Sequence, residues 1–483
     1  MSRRSWTVPG LTLVVSGLVL AAFLGLGGER KVEVRDDPRL AKAWRFDQNG
    51  WIYVHLEGSP SAIGFQHGAL LAGEIADGLK SVKLSATHST GKDWEFFRKA
   101  ARQMLWPRMD AEYQEEILGI VEGLSSKGVT LDVSDVVALN AFEELPDYYT
   151  PWYNAKYKVP GPKITSPGNC SAFVATGSYT KDGRIVIAHN NWTSYMNGER
   201  WRIVFDLVPA KGHRIFMDGY PGVITSDDDF GVNDAGLMVT ETTITQFAGW
   251  DPNGKPEFER SRKALQYAES IDDYVRIMLD GNNGGYANDW LLGDRKTGEI
   301  AQFELGLKHH RLWRTKDGYY VGSNFASDPQ VLAEDTTFDP KDRASSPNAR
   351  RERWEALMKA SKGRIDVAMA KVFMADHTDA FEGKTDANER ALCGHTDVSP
   401  RGVKEWEWGP YYPGGAVQGK AMDAGMAEAM TFTARMGHPC GEDFLAEPFL
   451  KAHPEYAWQA PALRDMKAGA WTTFSANQKG PTR

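Results

Sequence analysis

The chain has 483 residues, 42% of them apolar and 25% charged, with a formal net charge of −8 and a pI near 5.8. That composition supplies a large core, in one big domain or two. The acidic balance, with no basic run or Arg-rich stripe, argues against nucleic acid as a partner.

The first segment reads as a targeting signal. Arg3 and Arg4 precede the apolar run Leu11 to Leu26, and small residues stand at Gly25, Gly27 and Gly28. A run of about 16 residues is nearer a signal-peptide core than a span of roughly 20. Residues 1–28 are expected to be a signal peptide, with an uncleaved N-terminal membrane anchor as the alternative. Either places the bulk of the chain outside the cytoplasm: periplasmic, secreted, or anchored facing outward.

From about Ser59 to Phe142 the pattern is helical. Ile63, Leu70, Leu71, Ile75 and Leu79 recur at helix spacing, as do Ile117, Leu118, Val121 and Leu124. Pro146 to Pro167 then holds five prolines and several tyrosines without periodicity, and is expected to be an exposed linker open to cutting. Hairpins follow. Ser171–Thr176 and Arg184–His189 alternate around an Asp182-Gly183 turn, 202–208 and 214–217 flank Pro209-Ala210-Lys211-Gly212, and 237–243 comes after the turn at 233–236. Helix returns over 258–279, strands over 290–292, 299–305, 311–315 and 319–323, and two more helices over 349–362 and 366–374. The order predicts an α+β fold of two antiparallel sheets stacked face to face with helices outside.

There are only three cysteines, too few for a disulfide scaffold. Cys393 and Cys440 could pair in an oxidising compartment, or stay as two separate buried thiols; spacing leaves both readings open. Cys170 is the odd thiol. It opens a strand directly after Pro167-Gly168-Asn169, where Gly168 and Asn169 tolerate the strained backbone of an N-to-S acyl shift. Cleavage between Asn169 and Cys170 would give Cys170 both a thiol and an α-amine. Such an amine, with a pKa of about 7.7–8.0, can act as a general base near neutral pH. The cluster His189-Asn190-Asn191-Trp192 ends the next strand, where a hairpin brings it back toward Cys170. There His189 could orient or acidify the thiol, and Trp192 could wall an apolar pocket. The Asn-x-Ser/Thr patterns at Asn169 and Asn191 are read as coincidence. His309 and His310 are adjacent and diverge on a strand, and no HExxH, paired CxxC, P-loop or GxSxG occurs. No metal or organic cofactor is expected.

At these residues the chain resembles the phospholipase B-like proteins. The likeness runs through Cys170-Ser171-Ala172 and 186–195, then Tyr220-Pro221-Gly222-Val223-Ile224, Ser226-Asp227-Asp228-Asp229-Phe230 and Glu241-Thr242-Thr243-Ile244. It resumes at Gly285-Tyr286-Ala287-Asn288-Asp289-Trp290. Gly64-Phe65-Gln66-His67-Gly68 is similar to the related autoproteolytic acyltransferases that process penicillins. The resemblance implies the N-terminal-nucleophile hydrolase fold, a four-layer αββα sandwich. It also implies self-cleavage before Cys170 into a small chain (29–169, linker about 146–169) and a large catalytic chain (170–483), folded as one unit over 29–483. By the same resemblance Cys170 is the nucleophile, and His189 and Trp192 match pocket positions. Thr243 matches the site threonine, and Trp192, Thr243 and Asn191 are expected to bind substrate. Asn324 matches a site asparagine that could donate to an oxyanion. The site arginine falls within 346–350, where Asn348 occupies the place of the strictest alignment and Arg350 is preferred.

The function expected is hydrolysis of an acyl group from an amide or a lipid ester through a Cys170 thioester. The alternative is a self-processed, secreted ligand-binding protein without turnover. A papain-like protease would instead need a helix after the cysteine and no cleavage at Asn169–Cys170.

Overall fold

The computed structural model describes residues 37–165 and 170–479. The segment at 1–28 and the cleavage-site residue Asn169 fall outside them. No helix among the described residues is long and apolar enough to cross a membrane.

In chain order the strands are β1 (Trp44–Gln48), β2 (Trp51–Gly58), β3 (Cys170–Thr176), β4 (Val186–Ser194), β5 (Ile203–Pro209), β6 (Ile215–Gly219), β7 (Gly231–Asn233) and β8 (Leu237–Thr243). They continue with β9 (Asn288–Asp294), β10 (Glu299–Leu305), β11 (His310–Thr315), β12 (Gly318–Gly322) and the short pair β13 (Thr378–Asp379) and β14 (Lys384–Thr385). The last three are β15 (Gly414–Asp423), β16 (Thr431–Met436) and β17 (Thr472–Ser475). One sheet has nine strands in the order β1-β2-β5-β6-β7-β8-β9-β10-β11, and a second has six in the order β12-β3-β4-β15-β16-β17. The fold is α+β, as the element order predicts.

The apolar side chains settle which faces meet. Trp51, Val204, Phe216 and Leu291 of the larger sheet pack with Val174, Ile187, Phe432 and Phe474 of the smaller one. The outer face of the larger sheet, through Val54, Phe205 and Val239, packs on helices that include Pro60–Leu70, Ala72–Thr90 and Ala111–Ser126. The outer face of the smaller sheet, through Phe173, Ala188 and Val321, packs on helices Ser346–Ala360 and Val367–Met374. Both sheets therefore bury side chains of alternating direction on their two faces.

Three differences from the sequence reading have physical causes. The larger sheet is not wholly antiparallel: β2 runs parallel to β5, Ile52 opposite Ile203 through Gly58 opposite Pro209. Parallel neighbours need a long crossover, here supplied by the helices and by β3 and β4. The segment 29–169 is not only helical, since it donates the β1–β2 hairpin to that sheet. The stretch from Pro146 is not exposed linker throughout. Leu145–Tyr149 is a π-helical turn and Thr150–Tyr157 an α-helix with Pro151 in its first turn, where its missing N–H costs nothing. The Tyr149 ring stacks on Phe96 and packs at a tilt on Trp152 and Tyr153, and Tyr153 meets Phe96 edge-on, which anchors the segment.

Gly64-Phe65-Gln66-His67-Gly68 lies on helix Pro60–Leu70, whose backbone touches that of Ala111–Ser126. A Cβ on Gly64 would sit 1.9 Å from the carbonyl oxygen of Glu116, and one on Gly119 would sit 2.5 Å from that of Ser61. Gln66 closes the other side, accepting from the Glu57 N–H and donating to the Glu57 carbonyl, both at 2.8 Å. His67 Nε2 accepts the Gly222 N–H at 2.9 Å, and burial pushes the ring down to about 3, so it stays neutral.

Candidate active site

Strand β3 alternates between two environments. Ala172 and Val174 face the space between the sheets, while Phe173 and Ala175 face the outer helices. A period of two puts Cys170 on the inter-sheet side and Ser171 on the helix side. In the β3–β4 ladder Cys170 lies opposite Asn191 and Ala172 opposite His189. Residues directly opposite share a face, so His189 and Asn191 join the thiol while Asn190 and Trp192 point the other way. The cluster does not end its strand, as the sequence reading has it: β4 continues to Ser194.

On the inter-sheet side the Cys170 thiol is fully buried and donates to Glu241 Oε1 at 3.5 Å, an oxygen that also accepts the Tyr286 hydroxyl at 3.1 Å. Cys170, His189 and Glu241 each bring one ligand-type atom within 4.8 Å of the others. Burial first, then the charges of Glu241 and Asp228, push the thiol well above its ordinary value. Burial also pushes Glu241 well above the usual carboxylate range. His189 is pushed down to about 3 by burial and by Lys420. A neutral imidazole can orient a thiol but cannot acidify it as a charged partner would.

Lys420 stands opposite His189 in the β4–β15 ladder, fully buried, with its Nζ 2.6 Å from Asp218 and paired with Asp228. Burial alone would lower the lysine, but the two carboxyls hold it above its ordinary value. Burial would likewise raise Asp228, yet Lys420 and His189 hold it below the usual range. The result is a buried ammonium–carboxylate pair 3.6 Å from His189 Nδ1.

On the helix side Arg350 reaches the cysteine's own backbone. Its Nη1 donates to the Cys170 carbonyl at 2.5 Å and to Ser171 Oγ at 2.9 Å, and its Nη2 donates to Asn324 Oδ1 at 2.8 Å. The guanidinium lies 4.3 Å from the Trp192 ring and 5.6 Å from that of Trp406, and burial lowers it to about 9. Of the two candidates, Arg350 is the one whose side chain reaches Cys170, while Asn348 Nδ2 donates to the Asp342 carbonyl at 2.9 Å. Asn324, just past β12, has φ +70°, a left-handed conformation that asparagine tolerates. Its Oδ1 accepts the Cys170 N–H at 3.3 Å and its Nδ2 donates to the Thr243 carbonyl at 2.9 Å. Cys170, His189, Asn191, Trp192, Thr243, Asn324 and Arg350 thus converge.

Several buried polar atoms here have no hydrogen-bond partner: both ring nitrogens of His189, Asn191 Nδ2, Thr243 Oγ1 and Glu241 Oε2. Asn288, opposite Thr243 in the ladder, leaves both amide atoms unpaired as well. Native interiors rarely leave such groups unsatisfied, so their concentration around one thiol marks a place for a polar ligand or water. A cavity of about 510 Å³ is bordered by Thr193 and Ser194 at the end of β4 and walled by Phe142, Trp406, Trp408, Tyr412 and Trp458, with Glu143 and Asp147 among its polar groups. Lys163, Ile164 and Thr165, on the segment leading to Cys170, form part of the same wall.

Residues that sequence reasoning did not assign are Glu241, Lys420, Asp218, Asp228, Ser171 and Trp406. Glu241 and Asp228 stand within motifs that carry the resemblance, which was a usable signal. Lys420 carries none, being a lysine in a glycine-rich stretch. Cys393 and Cys440 are free thiols and close neighbours around His395.

The family model described as Phospholipase B matches residues 89–314. That span includes Cys170, His189, Asn191, Trp192 and Thr243, while Asn324 and Arg350 lie beyond it. The chain is 25% identical over 262 residues to an uncharacterized protein of Archaeoglobus fulgidus, covering 51% of this chain and 42% of the relative. It is 24% identical over 345 residues to putative phospholipase B-like 1 of Caenorhabditis elegans, covering 64% and 59%. A shorter match, 31% over 145 residues, joins it to putative phospholipase B-like 2 of Rattus norvegicus and covers 27% and 24%. The matched part spans about half the length of the first two relatives.

Proposed function

Since the chain belongs to the phospholipase B-like family, we propose that it is an exported, self-cleaving N-terminal-nucleophile hydrolase with the αββα arrangement of that class. The observation that carries this reading is the position of Cys170. Its backbone nitrogen and carbonyl are both held by side chains, Asn324 and Arg350, while its thiol faces a set of unpaired polar groups. Gripping the main chain on both sides of a nucleophile is suited to a residue that must act on its own preceding peptide bond and then keep its place as a new terminus.

In the uncleaved chain the Cys170 nitrogen is an amide and cannot serve as a base. Attack of the thiol on the Asn169 carbonyl transfers that acyl group from nitrogen to sulfur, breaking the C–N bond and freeing the α-amine, which takes up the thiol proton; water then hydrolyses the thioester, releasing the Asn169 carboxylate and restoring the thiol. The free amine, with an ordinary pKa of about 7.7–8.0, takes the thiol proton as sulfur attacks the substrate carbonyl. Asn191 Nδ2 and Thr243 Oγ1, both buried without a hydrogen-bond partner, would donate to the oxyanion. Collapse returns the proton to the leaving amine or alcohol and leaves the acyl group on sulfur; water, its proton taken by the same amine, releases the acid. The aromatic walls beside Trp192 and Trp406 favour an apolar acyl group, carried as an N-acyl amide or a lipid ester.

Intact-mass analysis with N-terminal sequencing tests the maturation step. Two chains, the larger beginning at Cys170, are expected for the natural sequence and a single chain for Cys170→Ala. Matured protein should then hydrolyse members of an N-acyl amide and phospholipid panel. A folded natural protein that stays in one piece overturns the mechanism, and cleavage without any turnover leaves only ligand binding.

A further inference from the structure

Away from the thiol of Cys170, four side chains converge that no sequence spacing connects. His377, Cys393, His395 and Cys440 each place one ligand-type atom within 4.8 Å of all the others. His377 follows helix Val367–Met374, Cys393 and His395 lie on the stretch before β15, and Cys440 follows β16. Backbone bonds fix the meeting point: the Cys393 N–H donates to the Asp376 carbonyl at 3.0 Å, and His395 pairs with Gly415.

We propose that these residues form a closed Cys₂His₂ site for a tetrahedral divalent ion, with zinc the best match. Two thiolates and two imidazoles are the donor set that selects such an ion. The distances agree. His395 Nε2 is 3.5 Å from Cys393 Sγ and 3.6 Å from Cys440 Sγ. With bonds of about 2.3 Å to sulfur and about 2.0–2.1 Å to nitrogen, the sulfur–nitrogen edge of a tetrahedron is about 3.6 Å. His377 Nε2 is buried with no hydrogen-bond partner, as a nitrogen awaiting a metal would be.

The surroundings complete the site. His395, Asp397 and His438 also bring ligand-type atoms within 4.8 Å of one another, and Asp397 accepts the Tyr195 hydroxyl at 2.6 Å. A carboxylate behind a ligating histidine is the usual outer support of a metal site. A shallow surface cleft lined by Asp376, His377, Thr378, Cys440 and Trp471 gives the ion a way in. Binding displaces two thiol protons to solvent and changes no oxidation state. With four protein ligands the role is structural. The Leu392 carbonyl, one residue before Cys393, accepts both Trp192 Nε1 at 3.2 Å and Asn190 Nδ2 at 3.0 Å. The ion would therefore pin the loop that backs Trp192.

The test uses the full chain, reduced and stripped with a chelator under native conditions, then titrated with Co(II). The Cys170→Ala protein is used alongside, so that the catalytic thiol contributes nothing. One Co(II) per chain, with thiolate-to-cobalt charge-transfer and tetrahedral d–d absorption displaced by Zn(II), is the expected result in both proteins. The band should vanish in Cys440→Ser and in Cys393→Ser. Should those variants fail to fold, the melting temperature of the stripped natural chain must still rise on adding Zn(II) and fall again with chelator. Failure of the folded, reduced chain to take up Co(II), or an intact mass showing a Cys393–Cys440 disulfide in metal-free protein isolated without reductant, overturns the proposal.

Discussion

Arg350 and Cys170 share a single acceptor, Asn324 Oδ1. The guanidinium donates at 2.8 Å to the same Oδ1 that accepts the Cys170 N–H at 3.3 Å. The asparagine oxygen is thus oriented by the arginine, and any change at Arg350 reaches the nitrogen of Cys170 through it. Arg350→Lys keeps the charge but loses the fork that spans the Cys170 carbonyl and Asn324. Losing one charged hydrogen bond of about 1.5–3 kcal/mol corresponds to roughly 10- to 150-fold in rate. Self-cleavage, followed by mass spectrometry over time, is expected to slow by that factor. An unchanged cleavage rate would assign Arg350 to packing alone.

Gly394 and Trp192 are in van der Waals contact that leaves no room for a methyl group. A Cβ on Gly394 would lie 1.9 Å from the indole of the fully buried Trp192. Gly394→Ala is expected to cost about 1–3 kcal/mol of stability by overpacking. Trp192→Phe in the same background should recover part of it. Denaturant melts of the four proteins of this double-mutant cycle measure the coupling, and a strictly additive result would contradict the contact.

Lys420 stabilises two buried carboxyls at once. Lys420→Met leaves Asp228 charged and unpaired behind His189, a loss of about 3–5 kcal/mol. Adding Asp218→Asn and Asp228→Asn removes the stranded charge and should restore much of that stability. Chemical denaturation of the Cys170→Ala chain and of these variants built on it decides the matter, since no cleavage then complicates the baseline.

Glu143 and Asp147 on the wall of the cavity hold their protons unusually tightly. Burial, aided at Glu143 by Asp147, raises them to about 8 and about 7 from ordinary values of 4.5 and 3.8. Between those limits the folded state binds more protons than the unfolded state, so stability falls as pH rises and levels off above about 8. The melting temperature of the Cys170→Ala chain should therefore decrease from pH 5 to pH 8. Glu143→Gln and Asp147→Asn should each make that decline shallower. A slope unaffected by both substitutions would mean that water reaches these carboxyls freely.

Much of the middle of the chain was readable from its pattern. Strands 237–243 and 299–305 match β8 and β10 residue for residue, and 171–176 misses only Cys170 of β3. There alternation and turn residues agree with burial. The readable part of the site lay in the same region, in Cys170 and the cluster after it. The C-terminal third was opaque for a physical reason. β15 contains Gly414, Gly415, Gly419, Gln418 and Lys420, residues with little strand preference, and is held in the sheet by β4 and β16 on either side. Its lysine is buried only because Asp218 and Asp228 arrive from elsewhere in the chain. The β1–β2 hairpin was missed similarly, since its place beside β5 depends on a partner some 150 positions away.

That parallel ladder between β2 and β5 joins the two sides of the proposed cut. Severing the chain ahead of Cys170 would leave every one of its hydrogen bonds in place while removing the tether between the strands. Unfolding would then become a dissociation: the matured protein's melting temperature should depend on its concentration, where the single chain's should not. Refolding from separated pieces would be a second-order search for a parallel partner, slow in its geometry and slower with dilution. Such a molecule is assembled once, during its first folding, and lasts as long as its two pieces stay together.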